Sequence, residues 1–489
     1  MAHLGRREAL NTMANSTPAT APSTVAVIGA GWAGLAAAAR LSEAGCACTL
    51  FEASKTLGGR ARRVPWKTGD GREIALDNGQ HILIGAYRET LTLLRKLGVD
   101  VPNAFERTPL YLVSAGGLRL KASMQRAPWH LLAMILTARG IGIDERWSIA
   151  TFMLRAKKLQ WTLDEDCTVA ALFKAWEQPI LLVHKVWEPL CIAALNTPVA
   201  TASAQVFLNV LRDSLGAGAR DSDLLLPRVD LGGLLPDATA RFLARRTAAA
   251  SEVRTGTRIQ NLLVEDTSVS IASGTATDID APRRFDAAVI ATPPGEAARL
   301  IAPMALRDGR YRALVDACES LHYQPIVTVY LLYREPPRWP SRMMALESAP
   351  HIDHFGQWAF DRSERLDDLA RLHNPSGGMG LVAVVISAEG THRELDNDAL
   401  VVAVTRQLAT QCGMPSQPLD SRIITEKRAT FACTPSLVRP DVATPHPRLV
   451  LAGDYVSDAD PLTHYPATLE AAVISGRRAA DLLIDTLRR

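Results

Sequence analysis

The sequence predicts an α/β fold, in which a parallel sheet flanked by helices is assembled from both ends of the chain and interrupted by an α+β insert. Three observations predict it. A strand, a glycine turn and a helix follow one another directly after residue 23. A second strand–glycine–helix run closes the chain from Leu449 onwards. Helix-rich and strand-rich stretches lie between, and 489 residues exceed what one compact core supports.

Composition narrows the classes. Apolar residues at 47% and charged residues at 21% are ordinary for a globular protein. A net charge of +3 on so long a chain argues against a nucleic-acid partner. The seven cysteines are scattered, odd in number and free of CxxC pairs, which argues against a disulfide framework and fits a reducing cytoplasm. No cluster has metal-ligand spacing, so no metal is expected. Residues 1–22 are rich in Ser, Thr, Ala and Pro and lack the apolar run of a signal peptide, so a disordered leader is expected. No stretch reaches the roughly 18 uninterrupted apolar residues of a membrane-spanning helix.

The first motif is TVAVIGAGWAGLAAAARLSEAGCACTLFEA, residues 24–53. Val25, Val27 and Ile28 suit a buried strand. Gly29, Gly31 and Gly34, with Ala30 and Ala33 between them, open an alanine-rich helix running to about Leu41. The first glycine permits a tight turn, the second lets a pyrophosphate reach the backbone, and the third lets helix and strand pack closely. The helix N-terminus offers unpaired N–H groups and a positive dipole end to phosphate. Glu52 ends the second strand, where a carboxylate accepts hydrogen bonds from ribose hydroxyls, and Ala53 follows it. Three glycines alone are a weak signal. Strand, glycines, helix, strand and acid in order point to a dinucleotide.

Two further blocks say which dinucleotide. ASKTLGGRARRV (53–64) adds Gly58 and Gly59, with Arg60 placed to donate to phosphate oxygens. Near the C-terminus, RLVLAGDYVSDADPLTHYPATLEAAVISGRRAADLL (448–483) places Gly453 and Asp454 after a short strand, and a helix is expected over 468–480. Together the blocks resemble the flavin-containing amine oxidase and phytoene desaturase superfamily. The resemblance implies FAD as cofactor and a Rossmann-like two-dinucleotide-binding domain. It carries cofactor contacts onto Gly29, Ala30, Gly31, Ala33, Gly34, Glu52, Ala53, Gly59, Arg60, Gly453 and Asp454, with Ala467, Thr468 and Leu469 beside the flavin ring. Ile259, in SEVRTGTRIQNLLVE, would touch the adenine side, and Ala291 sits in a strand-and-crossover like the family's. One departure is Ala471, where family members usually have Gly.

Three more strings, LDNGQHILIGAYRE (76–89), WEPLCIAALNTP (187–198) and LLPRVDLGGLLPDA (225–238), resemble one subgroup, the hydroxysqualene dehydroxylases. Gly79 and Gln80 of the first are counted with the cofactor contacts. The resemblance implies reductive removal of an allylic hydroxyl from an apolar isoprenoid. Loss of water leaves a delocalised cation that a hydride quenches, so the site needs an apolar tunnel, a proton donor and few nucleophiles. His81, His464 and Tyr465 are the donor candidates carried forward, with Asp77 and Glu188 behind them. Asp77 and Asn78 also suit a turn. Carotenoid desaturase, amine oxidase and FAD-stabilised carrier remain the alternative readings.

The cofactor domain is assigned to 23–100, 225–305 and 421–489, and a substrate domain to 101–224 and 306–420. Segment 126–161 combines apolar runs with Arg126, Arg139, Arg146, Arg155, Lys157 and Lys158. It reads either as a patch docking on the inner face of a membrane or as core helices with solvated basic faces. YQPIVTVYLLY (323–333) and GLVAVVISAE (380–389) read as strands flooring the substrate cavity, with Trp339, Met343, Met344 and Trp358 as candidate lining.

Overall fold

The computed structural model describes residues 22–122, 129–246, 250–275, 279–366, 378–457 and 460–489. All but the last residue of the expected leader lies outside these, as do 126–128 of the basic helical segment.

The parallel sheet is five-stranded, in the order Glu252–Arg254, Ala47–Phe51, Thr24–Ile28, Ala287–Ile290, Leu449–Leu451. Every neighbouring pair is parallel. The central strands are near-continuous apolar runs because helices and a second layer cover both faces. The helix Trp32–Glu43 packs on the C-terminal helix Leu469–Arg488, which runs well past the expected end at Ala480. Their approach is backbone-close: a Cβ on Gly476 would stand 2.1 Å from the carbonyl oxygen of Ala33. An antiparallel layer of Ile259–Glu265, Ser268–Ser273 and Arg283–Phe285 joins through Phe285, whose ring meets Phe51 edge-on at 6.0 Å.

The second sheet is antiparallel throughout: Met343–Ala345, Trp358–Asp361, Gly380–Ser387, Tyr323–Tyr333, Asp420–Phe431. Alternation splits its residues. Val327, Val329 and Leu331 pack with Val384 under the helix Asn397–Cys412, while Tyr330, Leu332, Trp358 and Phe360 face the main core. The strand Asp420–Phe431 spans the position, 421, at which the sequence divides the insert from the last cofactor segment. Its pairing with Tyr323–Tyr333 keeps those residues in this sheet, and the chain returns to the parallel sheet only after Phe431.

Helices complete the insert. Ile143–Lys158 is held to Val169–Ala175 and Ala204–Leu211 by rings of Phe152, Phe173, Trp176, Phe207 and Trp187, which precedes the helix Glu188–Leu195, with centroids 4.8 to 6.4 Å apart, and Trp129–Thr137 packs on Ile143–Lys158. Asn196, buried and left-handed at φ 46°, stitches this layer to the second sheet: its Nδ2 donates to Thr430 Oγ1 at 2.9 Å and its Oδ1 accepts from the Ala388 N–H at 2.8 Å.

The Gly476 contact sets an expectation. Gly476→Ala should lower unfolding free energy by roughly 1–3 kcal/mol through overpacking. Gly295→Ala, where a Cβ meets nothing within 4 Å, should stay within about 0.5 kcal/mol. Denaturant titration of both variants checks the contrast, and equal effects would contradict it.

Candidate active site

The N-terminal glycines build a cradle. Gly29 has φ 102°, and a Cβ there would lie 2.5 Å from the Ala291 carbonyl oxygen; its N–H donates to Phe51 at 2.8 Å. Gly31 is the N-cap of Trp32–Glu43, with no side chain capping the helix. A Cβ on Gly31 meets nothing within 4 Å, because that side opens on a cavity. Uncapped first-turn N–H groups facing empty space suit a pyrophosphate. The GGR block is clipped on from the other side. Gly58 N–H donates to the Ala30 carbonyl at 2.8 Å, and Gly59, at φ 61°, would place a Cβ 3.1 Å from Gly31 Cα.

Glu52 faces the same space. Its two oxygens accept from the Ala30 and Ser54 N–H groups, each at 2.8 Å, and retain lone pairs for hydroxyl donors.

The far end of the chain closes the cradle through an ion pair. Arg60 Nη2 lies 2.5 Å from Asp454 Oδ1, and its Nη1 donates to the Ala429 carbonyl at 2.6 Å. The sequence placed Arg60 on phosphate. It does line the cavity, but a carboxylate and a carbonyl already engage two of its nitrogens, leaving its other N–H groups for a ligand. Gly453 N–H donates to Ser475 Oγ at 2.9 Å, and Thr468 caps Leu469–Arg488 by accepting from Ala471 N–H at 3.1 Å.

These pieces share one cavity of about 870 Å³. Gly29, Gly31, Ala33, Glu52, Ala53, Ile259 and Ala291 line it, as do Gly59, Arg60, Gly79, Gln80, Gly453, Asp454, Ala467, Thr468 and Leu469. Ala30 and Gly34 do not. Ala30 is wholly buried, and Gly34 packs against the Gly29 carbonyl, where a Cβ would stand 1.9 Å away. The same cavity continues between Leu110, Leu120, Ile135, Met153, Leu190, Met343, Trp358 and Phe360 of the insert. Trp339 and Met344 fall outside the wall. Met344 alternates with Met343 and Ala345, which sit in the main core.

Of the donor candidates, Tyr465 and His81 reach the cavity; His464, Asp77 and Glu188 do not. The His464 carbonyl accepts from Asn209 Nδ2 at 3.0 Å. Asp77, buried, is the last residue of the strand Glu73–Asp77 rather than a turn residue, and its Oδ1 accepts from Leu231 N–H at 2.7 Å; Glu188 pairs with His184 at 3.0 Å. His81 Nδ1 sits 2.8 Å from the Gly79 carbonyl, so the neutral ring carries its proton there and can act as an acid elsewhere only as imidazolium. Tyr465 hydrogen-bonds with Asp213 and Arg212. Burial, then the Asp213 carboxylate, pushes its hydroxyl up to about 12. Arg212 grips Asp213 through two bonds, at 2.6 and 3.0 Å. Asp213 and Ser214, both in the wall, stand on a π-helical turn, Arg212–Gly216, that hydrophobic periodicity does not reveal.

A family model described as flavin containing amine oxidoreductase matches residues 32–484. The chain belongs to that family. Hydroxysqualene dehydroxylases of Rhodopseudomonas palustris and Sinorhizobium fredii are 28% and 25% identical to it, over 94% and 95% of this chain and 98% and 99% of theirs. A carotenoid phi-ring synthase of Streptomyces griseus is 26% identical over 94% of this chain and 87% of its own. Among solved structures, an oxidoreductase from Methanosarcina mazei superposes with a TM-score of 0.68 at 15% identity, covering 95% of this chain and 100% of that one. As a member of the flavin containing amine oxidoreductases, the protein is an FAD-dependent oxidoreductase.

Two outcomes follow for the cradle. Gly31→Val should fold, since a Cβ there meets no protein atom within 4 Å, yet purify colourless because the side chain fills the pyrophosphate space. Flavin absorbance beside circular dichroism reads this, and a yellow variant with normal flavin content contradicts it. Arg60→Met leaves Asp454, 5% exposed, without its counter-charge and should cost about 3 kcal/mol of stability. Adding Asp454→Asn should recover part of that loss in thermal melts; no recovery would show that the charge is not what matters.

Proposed function

We propose that the protein is a hydroxysqualene dehydroxylase that uses FAD to replace the allylic hydroxyl of hydroxysqualene by hydrogen, giving squalene for hopanoid and related isoprenoid synthesis. One observation carries the reading: the nucleotide cradle and an apolar chamber are a single cavity. The whole-length likeness to proteins named for this activity supports it. In this reading the Gly29–Gly31 turn, Glu52, Ala53, Ile259 and Ala291 hold the adenosine and pyrophosphate. Gly59, Arg60, Gly79, Gln80, Gly453, Asp454 and Ala467 to Leu469 surround the linker and ring.

When bound and reduced, FAD supplies a hydride. The protein supplies the rest. Leu110, Leu190, Met343, Trp358 and Phe360 exclude water from the isoprenoid chain. Tyr465 would give its proton to the departing oxygen, so that the C–O bond breaks to release water, and the vacated carbon would be the one open to the hydride that bound FAD supplies. Arg212, beside the ring, favours the tyrosinate that remains.

Anaerobic mixing of photoreduced protein with hydroxysqualene should reoxidise the flavin in step with squalene formation. Oxidation of phytoene or of an amine by the oxidised protein would move the assignment to a carotenoid desaturase or an amine oxidase. Flavin inert towards all three would leave a carrier. Tyr465→Phe should keep its flavin and lose about 10²- to 10⁴-fold in kcat. Since the Tyr465 hydroxyl is raised to about 12, it stays protonated as pH rises through neutrality, and kcat should show no alkaline limb there. Tyr465→Phe with flavin bound and kcat unchanged would remove Tyr465 as the acid.

A further inference from the structure

Two helices have opposite faces with opposite tasks. In Trp129–Thr137, Met134 and Ile135 line the cavity while Leu132 and Leu136 point outward, Leu136 at 62% exposure. In Ile143–Lys158, Ile149 and Met153 line the cavity. Ile143, Trp147 and Leu154, spaced by four and seven residues and so on one face, are exposed at 65%, 66% and 65%. Ile180, at 70%, and Leu181 belong to a neighbouring segment. Ser148 and Lys185 tie that segment to the hairpin, through Gln178 at 3.1 Å and the Gly140 carbonyl at 3.4 Å. Other exposed apolar side chains, such as Leu306, Ile352, Val402 and Val438, are widely separated along the chain, whereas these share one hairpin and the segment tied to it, on the outer wall of the cavity.

Basic charge gathers at one end of this group, where Arg139, Lys157 and Lys158 are exposed; the exposed acids Asp144 and Glu177 stand nearer Ile143 and Ile180. Arg146 and Arg155 are spoken for: Arg146 donates to the Leu136 and Ala138 carbonyls, and Arg155 lies 4.8 Å over the Trp176 ring. Of the nearby acids, Glu145 is bound back to the Gly142 N–H at 2.8 Å. An anionic bilayer meets both features: it takes the apolar side chains and attracts the cations.

We infer that the hairpin Trp129–Lys158, with Ile180 and Leu181, is a monotopic surface seated in the interface of an anionic lipid bilayer, so that the cavity wall it forms lies against the lipid. Among the described residues no helix is long and apolar enough to cross a membrane, so the contact is one of lying on. The inference gives the proposed apolar substrate a route from lipid to cavity. Docking is measured without turnover, however, so its failure and the failure of the proposed reaction are separately visible.

The test is cosedimentation of the full FAD-loaded chain with phosphatidylcholine vesicles, with and without phosphatidylglycerol. The protein should bind the anionic vesicles, and less so as salt rises. Trp147→Glu with Leu154→Glu should cut partitioning by roughly tenfold or more, with flavin content and melting temperature kept. Lys157→Gln with Lys158→Gln should lose the preference for anionic lipid. Wild type that ignores both vesicle types would overturn the inference. So would glutamate variants that bind as well as wild type, or an apolar face that proves to hold a dimer in solution and no lipid.

Discussion

Backbone meeting backbone with no side chain between is the constraint from which the rest of the molecule follows. It occurs where four distant segments converge: Gly29 against Ala291, Gly34 against the Gly29 carbonyl, Gly59 against Gly31, and Gly476 against Ala33. Together these contacts draw the first strand, the GGR block, the fourth strand and the last helix around one point. Gly31 differs from the others in having nothing in front of it, so the convergence leaves a space rather than a packed core. Arg60 and Asp454 then lock the two ends of the chain across that space. Desolvating such a pair is costly, and a bidentate-capable guanidinium with a second acceptor at Ala429 offsets the cost only while both partners stay.

Much of this was legible because glycine spacing and strand–helix order are local signals. The first strand, the helix after it, the closing strand and the Thr468 cap all follow from short windows. What short windows could not show was side-chain destination. The ion pair of Arg60 with Asp454, remote in sequence, is invisible in either window alone. His464 and Tyr465 are adjacent in sequence, yet only Tyr465 reaches the cavity. Asp213 and Arg212 left no mark, since LRDSLG looks like the end of an ordinary amphipathic helix and its π-helical turn has no period of its own. The sheet that the residues after 421 join is silent in a short window for a related reason. Strand Asp420–Phe431 is long and mixed in polarity, and only its partner strand says which sheet it joins. The string WEPLCIAALNTP, recognisable by resemblance, owes part of its structural importance to Asn196, which binds two strands of the second sheet and their flanking turn.

The cavity's carboxylates bear on the direction of the chemistry. An allylic cation forming inside it would be trapped by any free carboxylate within reach, so a dehydroxylase must keep such groups occupied. Six carboxylates line the wall, and each is engaged by donors. Glu52 takes two backbone N–H groups, and Asp213 takes both arms of Arg212. Glu296 is held by Arg258 and Arg299, and Glu426 by Asn78. Asp454 is held by Arg60, and Glu470 accepts from Glu89 and Thr90. In the proposed reaction such bound oxygens would leave a passing cation no free carboxylate to meet. Tyr465 completes the logic. A hydroxyl that burial keeps protonated can give a proton when the C–O bond breaks, and Asp213, its neighbour, is too firmly held by Arg212 to attack what is left behind.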